Sequence, residues 1–488
     1  MNFLGIDIGT SAVKAVLVDE NQAILGEAST PIATAYRKPG WCEQDPEAWW
    51  QATLHVLAIL AAQDAAAFAA IRAIGLSGQM HGAVILDETD AVIRPAILWN
   101  DRRAVAECAE LEKRVPNLAM IAGVVPMPGF TAPKLRWIGR NEPENFARIR
   151  TVLLAKDYVR LRLTGEFATD MADAAGTLLL DEAARRWAEP AIAATRLDPS
   201  VMPRLLEGPA WSGMVRSELL AAWGIGHQVV VAARAADIPA GAIGVGAINE
   251  GDAFVSLGTS AQIFVARNRY APRPQTLLHA FAHGLPDRWF EMAALLNGAT
   301  TLDWLAGLLG ERDAAGLVRR VEAGFQGPSG VLFLPYLAGE RTPLNDPDAR
   351  GVFANLDQAT GPTDLALAVV EGVALAIRDA ETAFGGGLAG GPIAMIGGAT
   401  RSRLWMKVVA SALGRPLLRL AGADVGPVFG AARLARMAAT GEEAATVCTQ
   451  PPIVEIVDPQ PSLEAAYAER LGEFRALYRS LKRTRSSR

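Results

Sequence analysis

The chain has 488 residues, of which 51% are hydrophobic and 20% charged, and its formal net charge is −5. This length exceeds what one hydrophobic core usually serves, so two domains are expected. The composition is that of a globular protein, and the small negative charge excludes a global basic field for nucleic acid or an anionic membrane; the basic stretch 482–488 is interpreted as a solvated tail.

The first predicted element is a hairpin, and its pattern recurs about half the chain later. An apolar, β-branched run, the tripeptide Gly-Thr-Ser and a second apolar run follow one another at residues 3–18 and again at 253–266. The turns are Gly9-Thr10-Ser11 and Gly258-Thr259-Ser260. One such turn is common. Two copies, each opening one half of the chain, predict two related domains whose turns face a shared cleft.

Helical periodicity appears between and after the hairpins, at residues 46–62, 101–114, 153–164 and 362–384, the last ending before Gly385-Gly386-Gly387. A strand over 393–396, the turn Gly397-Gly398-Ala399-Thr400 and a helix over 402–413 then follow. That order is typical of a nucleotide site. Alternating strands and helices predict an α/β fold, with domains at residues 1–246 and 247–488.

The Gly-Thr-Ser turns are candidates for phosphate binding. Glycine lets the main chain approach a phosphate, and the hydroxyl groups add donors without bulk. The alternative is a pair of ordinary turns. Asp7, just before the first turn, would repel a phosphate unless a cation intervened, so we expect Mg²⁺ there, bound directly or through water. The alternative is an Asp that stabilises the turn.

Two segments suit a polyhydroxylated ligand. Gln79, Met80 and His81 lie between two glycines after the apolar, strand-like run 71–76 and bring amide and imidazole groups. A second set follows another apolar run and combines an aromatic face with polar groups: Trp99, Asn100, Asp101 and Arg102. A structural histidine and a helix cap at Asn100 or Asp101 are the alternative interpretations.

The remaining polar candidates point away from metal or disulfide chemistry. His279 and His283 are four residues apart, but no HExxH pattern or acidic third ligand accompanies them, so structural roles are expected. Cys42, Cys108 and Cys448 are widely spaced and odd in number, which indicates free thiols in a reducing compartment. The N-terminus lacks the basic start of a signal peptide, and charged or amide side chains interrupt the long apolar stretches. A cytoplasmic location is therefore expected.

An ordered series of blocks along nearly the whole chain resembles the FGGY carbohydrate kinases. The blocks are GIDIGTSAVKAVLVD (5–19), WCEQDPEAWW (41–50), SGQMHG (77–82), RPAILWNDRR (94–103), PGFTAPKLRW (128–137), KDYVRLRLTGEFATDMADAAGT (156–177), VSLGTS (255–260), LPYLAGERTP (334–343), IGGATRS (396–402) and DVGPVFGAARLA (424–435).

The resemblance implies two actin-like or hexokinase-like domains of the ribonuclease H type, separated by a central cleft. It implies transfer of the γ-phosphoryl group of MgATP to the 5-hydroxyl of D-xylulose. The ATP contacts it implies are Gly9, Thr10, Ser11, Lys14, Gly258, Thr259, Ser260, Gly397, Gly398, Ala399 and Ser402. The sugar contacts it implies are Gln79, Met80, His81, Trp99, Asn100, Asp101, Arg102, Asp237 and Ile238, with Asp7 as the Mg²⁺-associated acid.

The catalytic base implied by the resemblance is Asp237, and its neighbours depart from the family pattern. The usual motif is of the Gly-Gly-Gly-Asp-Asn type before an Ala-Gly-Ala run, whereas residues 232–242 read AARAADIPAGA. The trailing run fixes the register on Asp237. The glycines become Arg234, Ala235 and Ala236, and the Asn becomes Ile238. Loss of the amide removes a sugar hydrogen bond, which would cost roughly 1–3 kcal/mol.

Three interpretations of this departure stay open: compensated variation in an active xylulose-type kinase, a shifted substrate preference, or reduced activity. The functional alternatives are accordingly a kinase for another ketose or polyol, such as ribulose, L-xylulose or a glycerol-like acceptor, or a weakly active regulator that binds sugar and nucleotide. The expected partners are the sugar and MgATP, with no nucleic acid and no membrane. A homodimer is a further hypothesis.

Overall fold

The computed structural model describes residues 1–233, 235–386, 388 and 390–486, so Arg234 and Gly387 of the predictions lie outside the described residues. The first half contains strands β1 (Asn2–Ile8), β2 (Ala12–Asp19), β3 (Ile24–Pro31), β4 (Glu43–Gln44), β5 (Ile71–Gly78), β6 (Val84–Leu86), β7 (Ala96–Ile97), β8 (Thr151–Leu153), β9 (Ala168–Asp170), β10 (Leu180–Asp181), β11 (Arg186–Trp187), β12 (Arg204–Leu206), β13 (Trp211–Met214) and β14 (Val230–Ala232). Its helices are α1 (Pro46–Gln63), α2 (Ala65–Ala69), α3 (Val105–Arg114), α4 (Leu118–Ile121), α5 (Thr131–Asn141), α6 (Pro143–Ala147), α7 (Ala155–Thr164), α8 (Met171–Ala175), α9 (Glu189–Thr195), α10 (Ser217–Ala222) and α11 (Asp237–Val245).

The second half contains strands β15 (Ala253–Leu257), β16 (Ala261–Arg267), β17 (His279–Ala282), β18 (Trp289–Leu295), β19 (Leu332–Leu334), β20 (Val352–Ala354), β21 (Ile393–Ile396), β22 (Leu417–Leu420) and β23 (Ile453–Val457). Its helices are α12 (Thr300–Leu308), α13 (Ala314–Gly324), α14 (Pro362–Glu381), α15 (Arg403–Leu413), α16 (Gly426–Thr440), α17 (Ala444–Val447) and α18 (Pro461–Ser486).

Each half is built on one large sheet that starts with a hairpin. The first sheet has the order β13-β14-β5-β1-β2-β3, with β1 antiparallel to β2 and parallel to β5. The second has the order β17-β18-β16-β15-β21-β22-β23, with β15 antiparallel to β16 and parallel to β21. The predicted α/β fold with two related, sheet-containing halves is confirmed. The boundary at 246/247 stays a prediction.

The two halves meet through equivalent helices, each of which follows the last parallel strand of its sheet. α11 packs against α16, and α16 also lies on β1 and β5 of the first sheet. Glycines make this approach possible: a methyl group on Gly430 would lie 2.7 Å from the carbonyl carbon of Ala240, and one on Gly5 would lie 2.9 Å from the backbone nitrogen of Ala432. The helix from the last fifth of the chain is therefore seated directly on the first sheet.

Helix ends differ slightly from the predictions. The helix predicted over 101–114 begins only at Val105, because the Asp101 carboxylate is engaged elsewhere, accepting from the Cys42 amide at 2.6 Å. Asn100 and Asp101 are therefore not its cap. Ser402 precedes α15 and caps it, accepting from the Trp405 amide at 3.3 Å. No helix of the described residues combines the length and apolar character that a bilayer crossing requires.

Candidate active site

A cavity of about 1030 Å³ lies between the two hairpins and brings together most of the predicted site residues. The predicted residues that line it are Asp7, Gly9, Thr10, Ser11, Lys14, Gln79, Met80, His81, Trp99, Asp237, Ile238, Gly258, Thr259, Ser260, Gly397, Gly398, Ala399 and Ser402. Most of them lie in the turns that follow β1, β5, β15 and β21, and Asp237 and Ile238 lie at the start of α11, so residues far apart in sequence converge on one space.

Asp7 stands near the end of β1, beside the first turn. Its carboxylate accepts a hydrogen bond from the Ser77 hydroxyl at 2.7 Å, across the β1–β5 pair, and Lys14 lies opposite it on β2. Burial raises the pKa of Asp7, while the Ser77 hydrogen bond and the Lys14 charge act in the other direction. In the second hairpin Ser256 stands where the first has Asp7, so only the first turn has an acid before it.

Asp237 is the first residue of α11 and faces the same cavity. The Ile238 amide donates to its carboxylate at 2.9 Å. Burial, and after it the negative charge of Asp7, raises the pKa of Asp237 to about 7. A carboxylate with this pKa can take a proton from a hydroxyl group and release it near neutral pH, which is the behaviour of a general base.

The two acids fit a Mg²⁺ ion whose other ligands are water and phosphate oxygens. Asp7 and Asp237 repel each other across the cavity, and both are hard oxygen donors of the kind Mg²⁺ prefers. Across the described ranges, no three His, Cys, Asp or Glu side chains assemble into a metal site. An ion there would complete its shell with water and phosphate oxygens, as is usual for Mg²⁺ beside a nucleotide.

The first turn is held by a network of polar side chains. The Trp99 indole donates to the Thr10 hydroxyl at 2.9 Å, and that hydroxyl donates to the Gln79 amide oxygen at 3.2 Å. Gln44 donates to the Thr10 carbonyl oxygen at 2.7 Å and accepts from Gln79 at 3.0 Å. These bonds connect the turn to both segments that were predicted to contact sugar.

The second turn is braced by its own half. The Ala299 amide donates to the Gly258 carbonyl at 2.8 Å, and the Thr300 hydroxyl donates to the Thr259 carbonyl at the same distance. Gln262 donates to the Ser260 hydroxyl at 2.5 Å. Both turns are thus held by hydrogen bonds to neighbouring residues, and both line the cavity.

His81 can only act as an acceptor towards the cavity. Burial, with a smaller contribution from the nearby Arg341, holds its pKa well below the usual range, so the ring is neutral. Its Nδ1 lies 2.6 Å from the Gly176 carbonyl oxygen, and because that oxygen only accepts, Nδ1 must carry the hydrogen. Nε2 is left with a lone pair. The His81 carbonyl is fixed by Lys134 and Thr131, at 2.8 and 3.1 Å.

The far end of the cavity has the strand, glycine turn and helix predicted for a nucleotide. Gly397 has φ +96°, and a methyl group there would lie 2.5 Å from the Leu257 carbonyl oxygen, so a side chain is excluded. Ser402 donates to the Glu322 carboxylate at 2.8 Å, which links the start of α15 to α13. Arg319 and Arg401 also line this end and bring positive charge.

Asn100, Asp101 and Arg102 do not line this cavity, in contrast to Trp99 before them. Asp101 is buried and forms an ion pair with Arg103 at 2.7 Å. Arg102 donates to the Pro347 carbonyl at 2.5 Å, across to the second half. Their predicted sugar contacts stay a prediction.

Several cavity residues were not singled out from the sequence, among them Arg341, Met292, Gln262, Asp303 and Trp405. Arg341 lies in the block LPYLAGERTP, where a charged pair interrupts an apolar run. That interruption is the signal that could have identified it.

His279, His283 and the three cysteines lie outside this cavity. His279 and His283 are buried, and desolvation lowers the pKa of each to about 3, so both are neutral. Cys42, Cys108 and Cys448 are free thiols.

Comparisons with known proteins agree on one family. The model for the N-terminal domain of the FGGY family of carbohydrate kinases matches residues 2–244, and the model for its C-terminal domain matches residues 253–439. Among curated relatives, the xylulose kinase of Escherichia coli (strain K12) is 43% identical over 98% of this chain and 99% of its own length. That of Klebsiella pneumoniae is 40% identical over 98% and 99%.

Solved structures show the same likeness. A xyloylose kinase from Brucella ovis superposes with a TM-score of 0.90 at 45% identity, covering 99% of this chain and 100% of its own. The xylulose kinase from Rhodospirillum rubrum gives 0.84 at 30%, covering 99% of each chain. This likeness confirms the predicted pair of actin-like, ribonuclease H-like domains.

Proposed function

The chain belongs to the FGGY family of carbohydrate kinases, and from that membership we propose that it transfers the γ-phosphoryl group of ATP to the 5-hydroxyl of D-xylulose, giving D-xylulose 5-phosphate. The acceptor is suggested by relatives named as xylulose kinases that are similar over nearly the whole chain. One observation supports the reaction most directly: Asp237 and Asp7 share a single cavity with both Gly-Thr-Ser turns.

In this reaction Asp237 is the general base. Its carboxylate accepts the proton of the attacking hydroxyl as that oxygen bonds to the γ-phosphorus, and the bond to the β-phosphate oxygen of ATP breaks. Phosphoryl transfer depends mainly on positioning and on the neutralisation of charge. A pKa of about 7 suits the role, because the carboxylate is ionised in roughly half of the molecules at neutral pH and can also hold the proton.

Asp7 would hold Mg²⁺, directly or through water, and phosphate oxygens would complete the set of ligands. The ion would neutralise phosphate charge when bound. Ser77 keeps the Asp7 carboxylate in place, and Lys14 adds a positive charge on the neighbouring strand. The amides and hydroxyls of the two turns bind the β- and γ-phosphates from opposite halves.

ATP lies with its base towards Gly397, Gly398 and Ala399, which line the cavity, and Ser402 lies at the start of the following helix. Closure of the two halves around both substrates would exclude water, which competes with the sugar as acceptor.

The sugar lies against Gln79, Met80 and His81, with Ile238 beside the base. His81 Nε2 accepts from a sugar hydroxyl, as its tautomer requires. Ile238 contributes an apolar surface where family members usually have an amide. This neighbour of Asp237 makes a different ketose or a polyol the main alternative acceptor. We further propose a cytoplasmic location and a homodimer, both from the family likeness.

A coupled assay for ADP formation across D-xylulose, D-ribulose, L-xylulose, glycerol and arabitol tests the proposal. The highest kcat/KM is expected for D-xylulose. Asp237→Asn should lose most of its turnover, by roughly 10²–10⁴-fold as for removal of a general base. Asp198→Asn is the matched control, since Asp198 is exposed, lies outside the cavity and accepts from the Ser200 amide before a short surface helix.

Each outcome has a meaning. A much higher kcat/KM for another sugar would show that the acceptor is wrong. Near-normal turnover of Asp237→Asn would show that the base is wrong. Binding of ATP and sugar without ADP formation above background would indicate a regulator that has lost turnover.

A further inference from the structure

A guanidinium group from the second half of the chain reaches the sugar end of the cavity. Arg341 lies in the loop between β19 and β20, is 8% exposed and lines the cavity. It donates through Nη2 to the Trp99 carbonyl oxygen at 2.8 Å, so it bridges the two halves. The rings of Trp99 and Phe130 lie 5.9 and 5.5 Å from the guanidinium carbon.

The backbone of this loop is fixed to the second sheet. The Glu340 carboxylate accepts from the Leu296 amide at 2.7 Å and from the Arg341 amide at 2.8 Å. The Thr342 amide donates to the Ala294 carbonyl at 3.0 Å. The position of Arg341 is therefore set by the end of β18. Met292, which belongs to the same strand, also lines the cavity.

The hydrogen-bonding capacity of Arg341 is largely unused within the described part of the chain. Its guanidinium makes a single hydrogen bond there, the one to Trp99, although the group has five N–H donors. Burial lowers its pKa only to about 10, so it remains a cation at neutral pH. A buried cation with unused donors needs acceptor atoms, and the cavity is where they can come from.

We propose that Arg341 binds the sugar, donating to lone pairs of its hydroxyl or carbonyl oxygens. This rests on the proposed function above. His81 stands on the same end of the cavity as a neutral acceptor, and the charge of Arg341 contributes to its lowered pKa. The sugar then contacts a hydrogen-bond donor, Arg341, from the second half and a hydrogen-bond acceptor, His81, from the first. Arg341 thereby determines specificity for sugars that carry an oxygen atom at this end of the cavity.

The test compares Arg341→Gln with Arg185→Gln. Arg185 also joins the halves, donating to the Arg288 carbonyl at 3.2 Å, but it does not line the cavity. For the sugar that the wild type phosphorylates best, Arg341→Gln should raise the KM by roughly 10- to 100-fold, the range for a hydrogen bond to a charged group. The KM for ATP should change less than about twofold, and Arg185→Gln should keep both values.

A second variant and a binding measurement keep the proposal testable. If Arg341→Gln does not fold, as judged by circular dichroism, Arg341→Lys replaces it, and a smaller rise in the sugar KM is expected because a point charge substitutes poorly for the planar fork. An unchanged sugar KM in the Arg341 variant would overturn the proposal, although the proposed function itself would still stand. Equal rises in the KM for sugar and the KM for ATP, seen in Arg185→Gln as well, would also overturn it.

If the wild type phosphorylates none of the sugars, the proposed function fails, and calorimetric titration with the same sugars decides on Arg341 separately. Weaker sugar binding by the Arg341 variant than by the wild type supports the inference. Equal binding, or no binding by the wild type, contradicts it.

Discussion

Replacing Gly75 by alanine would test how closely α16 must lie on the first sheet. Gly75 is paired with Gly5 on the neighbouring strand, and both face this helix. A methyl group on Gly75 would lie 2.6 Å from the carbonyl carbon of Ala431 and closer still to its oxygen. Ordinary carbon–carbon contacts are about 3.5–4.0 Å, so helix and strand would have to separate by about 1 Å.

That separation has an energetic and a catalytic consequence. Overpacking of this kind costs about 1–3 kcal/mol, and here neither side is a flexible side chain that could turn away. β1 carries Asp7 and Gln79 directly follows β5, while Pro427 and Val428 at the start of α16 line the same cavity. A shift of about 1 Å between reacting groups can reduce turnover by up to about 10²-fold.

Two measurements are needed: the urea midpoint of unfolding and kcat with saturating sugar and ATP. Gly472→Ala is the matched control, because Gly472 lies in α18 with nothing within 4 Å of an added methyl group. The control should gain up to about 1 kcal/mol from helix propensity and keep its turnover. If Gly75→Ala unfolds at the same midpoint and turns over as fast as the control, our account of the helix contact is wrong.

Three further predictions concern Asp237 and the nucleotide end. Below about pH 7, kcat/KM should fall tenfold per pH unit as Asp237 takes up a proton, and a profile that stays flat from pH 7 down to pH 5 would contradict this. The pKa of Asp237 is higher in the folded state than its ordinary 3.8, so ionisation of Asp237 destabilises the fold, and this destabilisation is complete above about pH 7. Asp237→Asn should therefore raise the thermal midpoint, measured by calorimetry, more at pH 8 than at pH 4. Ser402→Ala removes the cap on Trp405 and the bond to Glu322, so urea unfolding should show a loss of about 1 kcal/mol, and no loss would refute the cap.

Local patterns in the sequence predicted the elements that depend on neighbouring residues. Both hairpins, the strand before Gly397 and the helix capped by Ser402 were predicted close to their observed bounds, because alternation, glycine and capping act over a few residues. The start of α3 was predicted too early, since the hydrogen bond from the Cys42 amide to the Asp101 carboxylate is a tertiary effect.

Features that depend on distant parts of the chain were missed. Nothing local to Arg341 indicates that its side chain reaches Trp99, because the direction of the loop is set by β18. Likewise, Gly5 and Gly75 look like ordinary strand glycines until α16 is seen above them. The proximity of Asp7 and Asp237, which raises the pKa of Asp237, could be expected only through the family resemblance.

The seating of α16 on β1 and β5 also bears on the order in which the protein can fold during synthesis. β1 and β5 leave the ribosome well before residues 426–440, the helix that lies on the surface these two strands share. Until those residues emerge, the glycine-lined face of the first sheet is open to water and to other nascent chains. The first half therefore completes its core late, and we expect it to depend on slow, long-range docking, and on chaperones, more than its own local patterns would indicate.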